Sequence, residues 1–430
     1  MSSKVFIESD IENAALEWLE ELGYEIAFGP NLIEDSFKER QSYEDVILKE
    51  RLLDAILALN PTIKQSIIED AVREILIPKQ VALIDNNRVF HKMITDGVSV
   101  SYHDESGTLK HTQLRLFDFD HPSNNDFLAV NQLTVVENKI EKRPDIVVFV
   151  NGMPLVVFEL KTISSEAISL KSAYRQIKNY QTAVPSLFVY NAFNVISDGL
   201  HAKVGTITSL EDRYTTWRTV DGTIIAPTTN PQLETTIKGM FEKTRFLDIL
   251  KQFILFQKVD HYYIKILAGY HQYHAVNTAI QKTYQATSEA GDRRIGVIWH
   301  TQGSGKSLSM VFYAGKLVLS QELDNPTIIV ITDRNDLDDQ LYLTFSKSQD
   351  LLRLIPVQAD SRMHLRELLN GRESGGIIFT TIQKFTPDEL TDTIPLTTRK
   401  NVIVLADEAH RSQYGFSSKK IGRASCRERV

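Results

Sequence analysis

One stretch constrains this chain more than any other: Ile298-Trp299-His300-Thr301-Gln302-Gly303-Ser304-Gly305-Lys306-Ser307. An apolar strand (Ile295, Val297, Ile298) is predicted to run into a glycine-bearing loop ending in Gly-Lys-Ser. An apolar helix through Leu308, Met310, Val311 and Phe312 follows. Strand, loop and helix in that order make a cradle for a nucleoside triphosphate. Thr301, Gly303, Ser304 and Gly305 shape the loop around the phosphates, Lys306 reaches the outer ones, and the Ser307 hydroxyl binds Mg2+. His300 stands where the usual pattern has its first glycine, and a plain surface turn is the structural alternative. A second apolar strand, Asn401 to Leu405, delivers Asp407 and Glu408 to its C-terminal end. That order of motifs favours the cradle: Asp407 suits the metal of Mg2+-ATP, and Glu408 suits orienting the attacking water.

A different constellation lies upstream. Asp145-Ile146-Val147-Val148-Phe149-Val150 reads as a strand, Asn151-Gly152 as a tight hairpin turn, and Leu155 to Lys161 as the returning strand. Alternation along a strand puts Glu159 and Lys161 on one face, with Leu160 pointing into the core. The hairpin brings Asp145 beside them. Asp145 and Glu159 can share a Mg2+, and Lys161 can orient or activate water next to it, which is a phosphodiesterase arrangement. A cross-strand ion pair on a solvated face is the structural alternative. The apolar residues around these charges argue for a half-buried site, where unpaired charge is costly. Gln176 and Tyr180, at i and i+4 on the next helix, face one way and can line a cleft. An acid on the first helix, Glu12 or Glu17, is a further candidate for this site.

The 430 residues allow two or three domains, and 42% apolar content allows sizeable cores. A net charge of −7 gives no global basic field, so contact with nucleic acid has to come from local patches. No apolar run approaches a membrane span, and the N-terminus, with Glu8, Asp10 and Glu12, has no apolar signal core. The expectation is a cytoplasmic protein with no membrane partner. A single cysteine, Cys426, excludes a disulfide framework and a cysteine metal site. It lies in residues 421–430, which continue no structural pattern and resemble the translation of a sequencing-library adapter. These ten residues are expected to be a non-native tail on a polypeptide that natively continues further.

The periodicity predicts an opening helix over 9–22, with Ser9 and Glu12 at capping-box spacing and Gly23 as its stop. A polar helical region extends to about residue 75. Short strands are expected at Val81 to Ile84, at Val98 to Tyr102, and around Leu114 to Phe119. Ala173 to Tyr180 reads as helix, and Ser186 to Tyr190 and Asn194 to Ser197 as strands. Residues 206–260 read as a connector that is Thr-rich and then helical. From 261 onward, strand alternates with helix as in a parallel sheet.

Taken together, the motifs resemble the restriction (motor/endonuclease) subunit of type I restriction–modification enzymes, over nearly all of residues 1 to 420. Asp145, Glu159 and Lys161 match that family's PD…ExK nuclease site, and Gln176 and Tyr180 its QxxxY element. Tyr270 to Val276 is similar to its adenine-recognition segment, with Gln272 as the base reader. His300 to Ser307 fits its own form of the phosphate loop. Thr332 to Gln340 and Thr380 to Phe385 resemble motor motifs Ia and Ib, with Thr380 and Thr381 on the DNA, and Asp407 to Gly415 resembles motif II. A capped helix start is the plainer reading of 333–340, a surface position that of Gln272, and a packing role that of His271 and His274.

The resemblance implies an α/β chain: a PD-(D/E)xK-type endonuclease domain (1–205), the connector (206–260), and a first RecA-like, superfamily 2 helicase-type motor lobe (261–420), truncated. It also implies ATP and Mg2+ as cofactors, with S-adenosylmethionine entering only through the methyltransferase partner. The implied partners are double-stranded DNA and the modification and specificity subunits, in a bacterium or archaeon. The activity implied for the intact protein is ATP-driven DNA translocation and cleavage of unmodified DNA away from the recognition site. Without a second motor lobe, this piece is expected not to translocate. A repair-type helicase–nuclease and a non-catalytic module that merely holds ATP and DNA are the competing readings.

Overall fold

The structure is a computed structural model, described here over residues 7–33, 39–103, 106–162, 166–332, 335–370, 374–381, 384 and 397–407. The chain divides into two compact units. One comprises 1–254 with 261–270, and the other 255–260 with 271–430. The expected connector therefore packs largely with the first unit. Its helices are Gln232–Met240 and Lys243–Gln252, followed by a strand at Ile254–Val259. No described helix is long and apolar enough to cross a membrane.

The first unit is built on a six-stranded mixed sheet whose spatial order follows the chain. Its strands are β1 (Glu25–Phe28), β2 (Phe127–Asn131), β3 (Ile146–Val150), β4 (Met153–Leu160), β5 (Phe193–Ser197) and β6 (Ala202–Gly205). β1 runs parallel to β2, and β4 parallel to β5; the remaining pairs are antiparallel. β3 and β4 are buried along their whole length, which is why both read as nearly unbroken apolar runs. Their Asn151-Gly152 turn has left-handed backbone at both residues (φ 49° and 73°), as a primed hairpin turn requires. Asn151 also fastens the turn by accepting from Asp126 N (2.8 Å) and donating to Leu116 O (2.8 Å). A methyl at Gly152 would lie 2.3 Å from Leu48 O. The sheet carries α1 (Glu8–Glu21) and α2 (Glu166–Ala183), whose buried residues include Ala15, Leu19, Ala173 and Ile177.

The second unit holds α3 (Tyr270–Thr287), α4 (Lys306–Val318) and a parallel sheet of β7 (Thr327–Thr332), β8 (Val357–Gln358), β9 (Ile377–Thr381) and β10 (Val402–Ala406), in the order β8-β9-β7-β10. Parallel strands need both faces covered. Ile329, Ile331 and Ile378 accordingly pack with Leu365 and Leu369 of the helix Arg362–Asn370.

Several expectations are corrected. Residues 81–84 form no strand: Val81 is fully exposed and Leu83–Asp96 is a helix, so the apolar run is the start of a helical stripe. Pro185–Val189 is likewise a short helix, with proline at its first position, where the missing N–H costs nothing. Leu109–Leu114 pairs with Val98–His103 as a separate two-stranded ribbon. The α1 start is capped not by Ser9 with Glu12 but by Asp10, whose carboxylate accepts from Ile7 N at 3.2 Å. The apolar segment before the phosphate loop is not a strand either. Both neighbours of β7 are taken by β9 and β10, and among the described residues no strand flanks 295–299. Val297, Ile298 and Trp299 are consequently exposed.

Candidate functional site

Asp145 sits one residue before β3, and Glu159 and Lys161 lie at the end of β4. The β3–β4 register opposes Ile146 to Phe158, so the hairpin brings the two ends together. Leu160 is fully buried, as alternation requires, and its N–H donates to Asp145 Oδ2 at 2.6 Å. Lys161 Nζ donates to Glu159 Oε1 (2.5 Å), Leu160 O (3.0 Å) and Glu8 Oε1 (3.2 Å). The sequence-predicted trio is thus one cluster, and Glu159, 2% exposed, is its buried centre.

The electrostatics follow from that burial. Desolvation, then the neighbouring Glu159 charge, pushes Asp145 up to about 7 against the opposing pull of Leu160 N–H and Lys161. Burial also raises Glu159, outweighing Lys161 and Tyr180. For Lys161, burial disfavours the charge, but Glu159, Asp145 and Glu8 reverse the balance and hold its pKa above the usual lysine value. Two carboxyl groups are therefore held within range of one ammonium, which bonds Glu159 directly. Glu159 Oε2 is buried and accepts no hydrogen bond. An orphaned buried carboxylate oxygen beside a second carboxylate fits a hard divalent cation. Among the described residues there is no group of three or more His, Cys, Asp or Glu that would hold a metal unaided, so water or a phosphate oxygen would complete the shell.

The QxxxY element joins this cluster. Tyr180 is buried on α2 and donates to Arg143 O at 3.3 Å; its phenol lies near enough to Glu159 to stabilise that charge. Burial and the Glu159 charge raise its own pKa, against a lowering influence from Gln176. Sequence reasoning offered Glu12 or Glu17 as the helical acid. The structure places Glu8 there instead. Glu12 accepts from Asn131 Nδ2 (2.7 Å) and Gln132 Nε2 (2.6 Å), and Gln132 N donates to Asp145 O (2.9 Å). The i, i+4 spacing of Glu8 and Glu12 was the available signal.

The phosphate loop of the second unit has the expected turn. Gly303 and Gly305 both adopt φ of 82°, and Gly305 is the N-cap of α4, which begins at Lys306 and carries Ser307 in its first turn. The first N–H groups of a helix lack intrahelical acceptors and favour anions. Gln272 does not point away to a base: its Nε2 donates to Gly305 O at 3.0 Å, while His271 Nε2 bonds Ser304 O at 3.0 Å. His300 abuts His271 (ring centroids 5.3 Å), and burial, His271 and Lys306 lower its pKa. Thr301 is exposed at the mouth of the loop. Asp407 follows β10, anchored by its N–H to Ile331 O at 2.9 Å. Thr380 and Thr381 close β9 and are buried, so neither offers its hydroxyl to the surface. Glu408, the remainder of motif II and residues 382–383 and 385 lie outside the described residues, as do 333–334 of motif Ia.

Fold and site define the class: an α/β unit with a buried two-carboxylate-and-lysine cluster, and a parallel-sheet unit with a glycine turn that caps a helix beginning at Lys306. Residues 6–213 match the family model for the type I restriction enzyme R protein N terminus, and 271–426 match that for the SWI2/SNF2 ATPase. The type I restriction enzyme HindI endonuclease subunit of Haemophilus influenzae is 44% identical over 96% of this chain and 40% of its own length. A Methanocaldococcus jannaschii relative bearing the MjaIXP endonuclease-subunit name is 36% identical over 96% of this chain and 41% of its own length. The chain belongs to the family of type I restriction enzyme R subunits, and it spans about two-fifths of the length of these relatives.

Proposed function

We propose that the first unit is a PD-(D/E)xK-type nuclease that cuts double-stranded DNA with Mg2+, and that the second is the ATP-binding lobe of a motor driving DNA past it. The orphaned Glu159 Oε2, buried beside Asp145 and Lys161, carries the reading. Asp145 and Glu159 would hold the cation, which when bound polarises the scissile phosphate and supports the attacking hydroxide. Lys161 orients the water. Tyr180 and Gln176 brace Glu159 from α2. Leu160 N–H fixes the rotamer of Asp145, so both carboxylates are set before substrate arrives.

In the second unit, Lys306 and Ser307 at the helix start would receive the triphosphate and its Mg2+, Asp407 would hold that metal, and Glu408 would orient the hydrolytic water. Gln272 reads the base after leaving Gly305 O. Thr380 and Thr381, buried at the end of β9, would anchor motif Ib rather than present their own hydroxyls to DNA. The intact protein would act with modification and specificity subunits, S-adenosylmethionine belonging to the former. It would translocate DNA and cleave it, unmodified, away from the recognition site. The SWI2/SNF2 match favours this over a static ATP-holding module.

The test is nicking of supercoiled plasmid in Mg2+ by the wild type, Glu159→Ala and Lys161→Ala. Loss of nicking in both variants supports the nuclease; equal background in all three rejects it.

A further inference from the structure

Lys161 serves two carboxylates at once, and only one of them belongs to the cation-binding pair. Glu159 Oε1 lies 2.5 Å from its Nζ, and Glu8 Oε1 lies 3.2 Å away from the opposite element, α1. The Glu8 charge is felt by all three members of the cluster, Asp145, Glu159 and Lys161. Its position is not incidental to a fraying helix end. One turn along the same face, Glu12 is clamped by the amides of Asn131 and Gln132 at the end of β2. Gln132 N is in turn bonded to Asp145 O. The helix start is thereby tied to the peptide that carries the first carboxylate.

We propose that Glu8 is the positioning residue for Lys161 in the nuclease reaction, a role resting on the nuclease reading above. When Glu159 turns its oxygens toward a cation, Lys161 loses part of its closest contact. An ammonium on a four-carbon stem then has many rotamers. Glu8 is a second acceptor that does not change partner, and it holds Nζ over the cluster where the water must be oriented. Glu8 neither binds the cation nor touches the phosphate. An exposed ion pair of this kind adds little stability. Its effect is geometric and appears in the rate.

The experiment uses the full chain with Glu8→Ala and Glu8→Gln. Plasmid nicking is measured across a Mg2+ titration, and acetylation of Lys161 at fixed pH is followed by peptide mass spectrometry. For Glu8→Ala we expect nicking slowed about 10- to 100-fold, as for loss of other outer-shell partners. The Mg2+ midpoint should be unchanged, and Lys161 should be acetylated several-fold faster. Glu8→Gln, which keeps an oxygen acceptor without the charge, should fall between. Unchanged acetylation in Glu8→Ala overturns the positioning role whatever the nicking shows. So does a shifted Mg2+ midpoint, which would make Glu8 a ligand. Faster acetylation in Glu8→Ala, with wild-type nicking no faster than Glu159→Ala, sinks the nuclease reading while leaving the Glu8–Lys161 pairing intact.

Discussion

Replacing Asp145 by Asn should make the first unit more stable in the absence of metal while abolishing cleavage. Burial and Glu159 raise the Asp145 carboxyl from its usual 3.8 to about 7. A shift of that size penalises the ionised form by about 4 kcal/mol relative to the unfolded chain. The folded-state pKa lies above the unfolded one, so the folded chain holds the proton more tightly. The penalty is therefore absent below about pH 4, grows between 3.8 and about 7, and is complete above that. Asn is neutral throughout, and its amide oxygen can still accept from Leu160 N–H. At pH 8 in EDTA, Asp145→Asn should gain about 2–4 kcal/mol, with the gain vanishing near pH 4. Native-state hydrogen exchange of the β3 and β4 amides reads the opening free energy of this unit alone. Saturating Mg2+ should stabilise the wild type and leave the variant unmoved. A variant no more stable than wild type at pH 8, or equally stabilised at both pH values, would show that Asp145 carries no such burial penalty.

Further outcomes follow from other positions. Gly152→Ala forces a side chain onto φ of 73° and against Leu48 O, so the first unit should lose at least about 2 kcal/mol in urea unfolding. Lys265 is buried and donates to Asn87 Oδ1 (2.9 Å) and Asn191 O (2.7 Å), and desolvation lowers its pKa well below the usual value. The unfolded chain then binds more protons, so stability should rise as pH climbs toward 10.5; Lys265→Met should flatten that slope in thermal melts between pH 7 and 10. Lys306→Ala should weaken ATP retention in equilibrium dialysis at least tenfold, about 1.4 kcal/mol, without altering plasmid nicking.

The cluster of Asp145, Glu159 and Lys161 was legible in the sequence because it depends on local rules. Asn-Gly dictates the turn, period two sets the faces of Glu159 and Lys161, and i, i+4 spacing pairs Gln176 with Tyr180. Glu8 was legible only as a residue on the same helix face as Glu12; that it meets Lys161 is fixed by how α1 docks on β2, a tertiary contact that no local pattern encodes. Val81 to Ile84 and Ser186 to Tyr190 misled for a related reason: short apolar runs suit a strand or a helix, and only packing decides. In the second unit, the glycines gave the loop and Asn401 to Leu405 gave a strand. The segment before the loop was predicted as a strand from its composition alone. A strand also requires a neighbour to bond, and sequence does not say whether one is present.

The proposed nuclease rests on a cation site shared by Asp145 and Glu159 beside Lys161. Crystals of the chain soaked in Mn2+ would reveal it. An anomalous peak is expected about 2.1 Å from one oxygen of each carboxylate, lost in Glu159→Gln. No peak there in the wild type, with Lys161 still bridging Glu159 and Glu8, would contradict it.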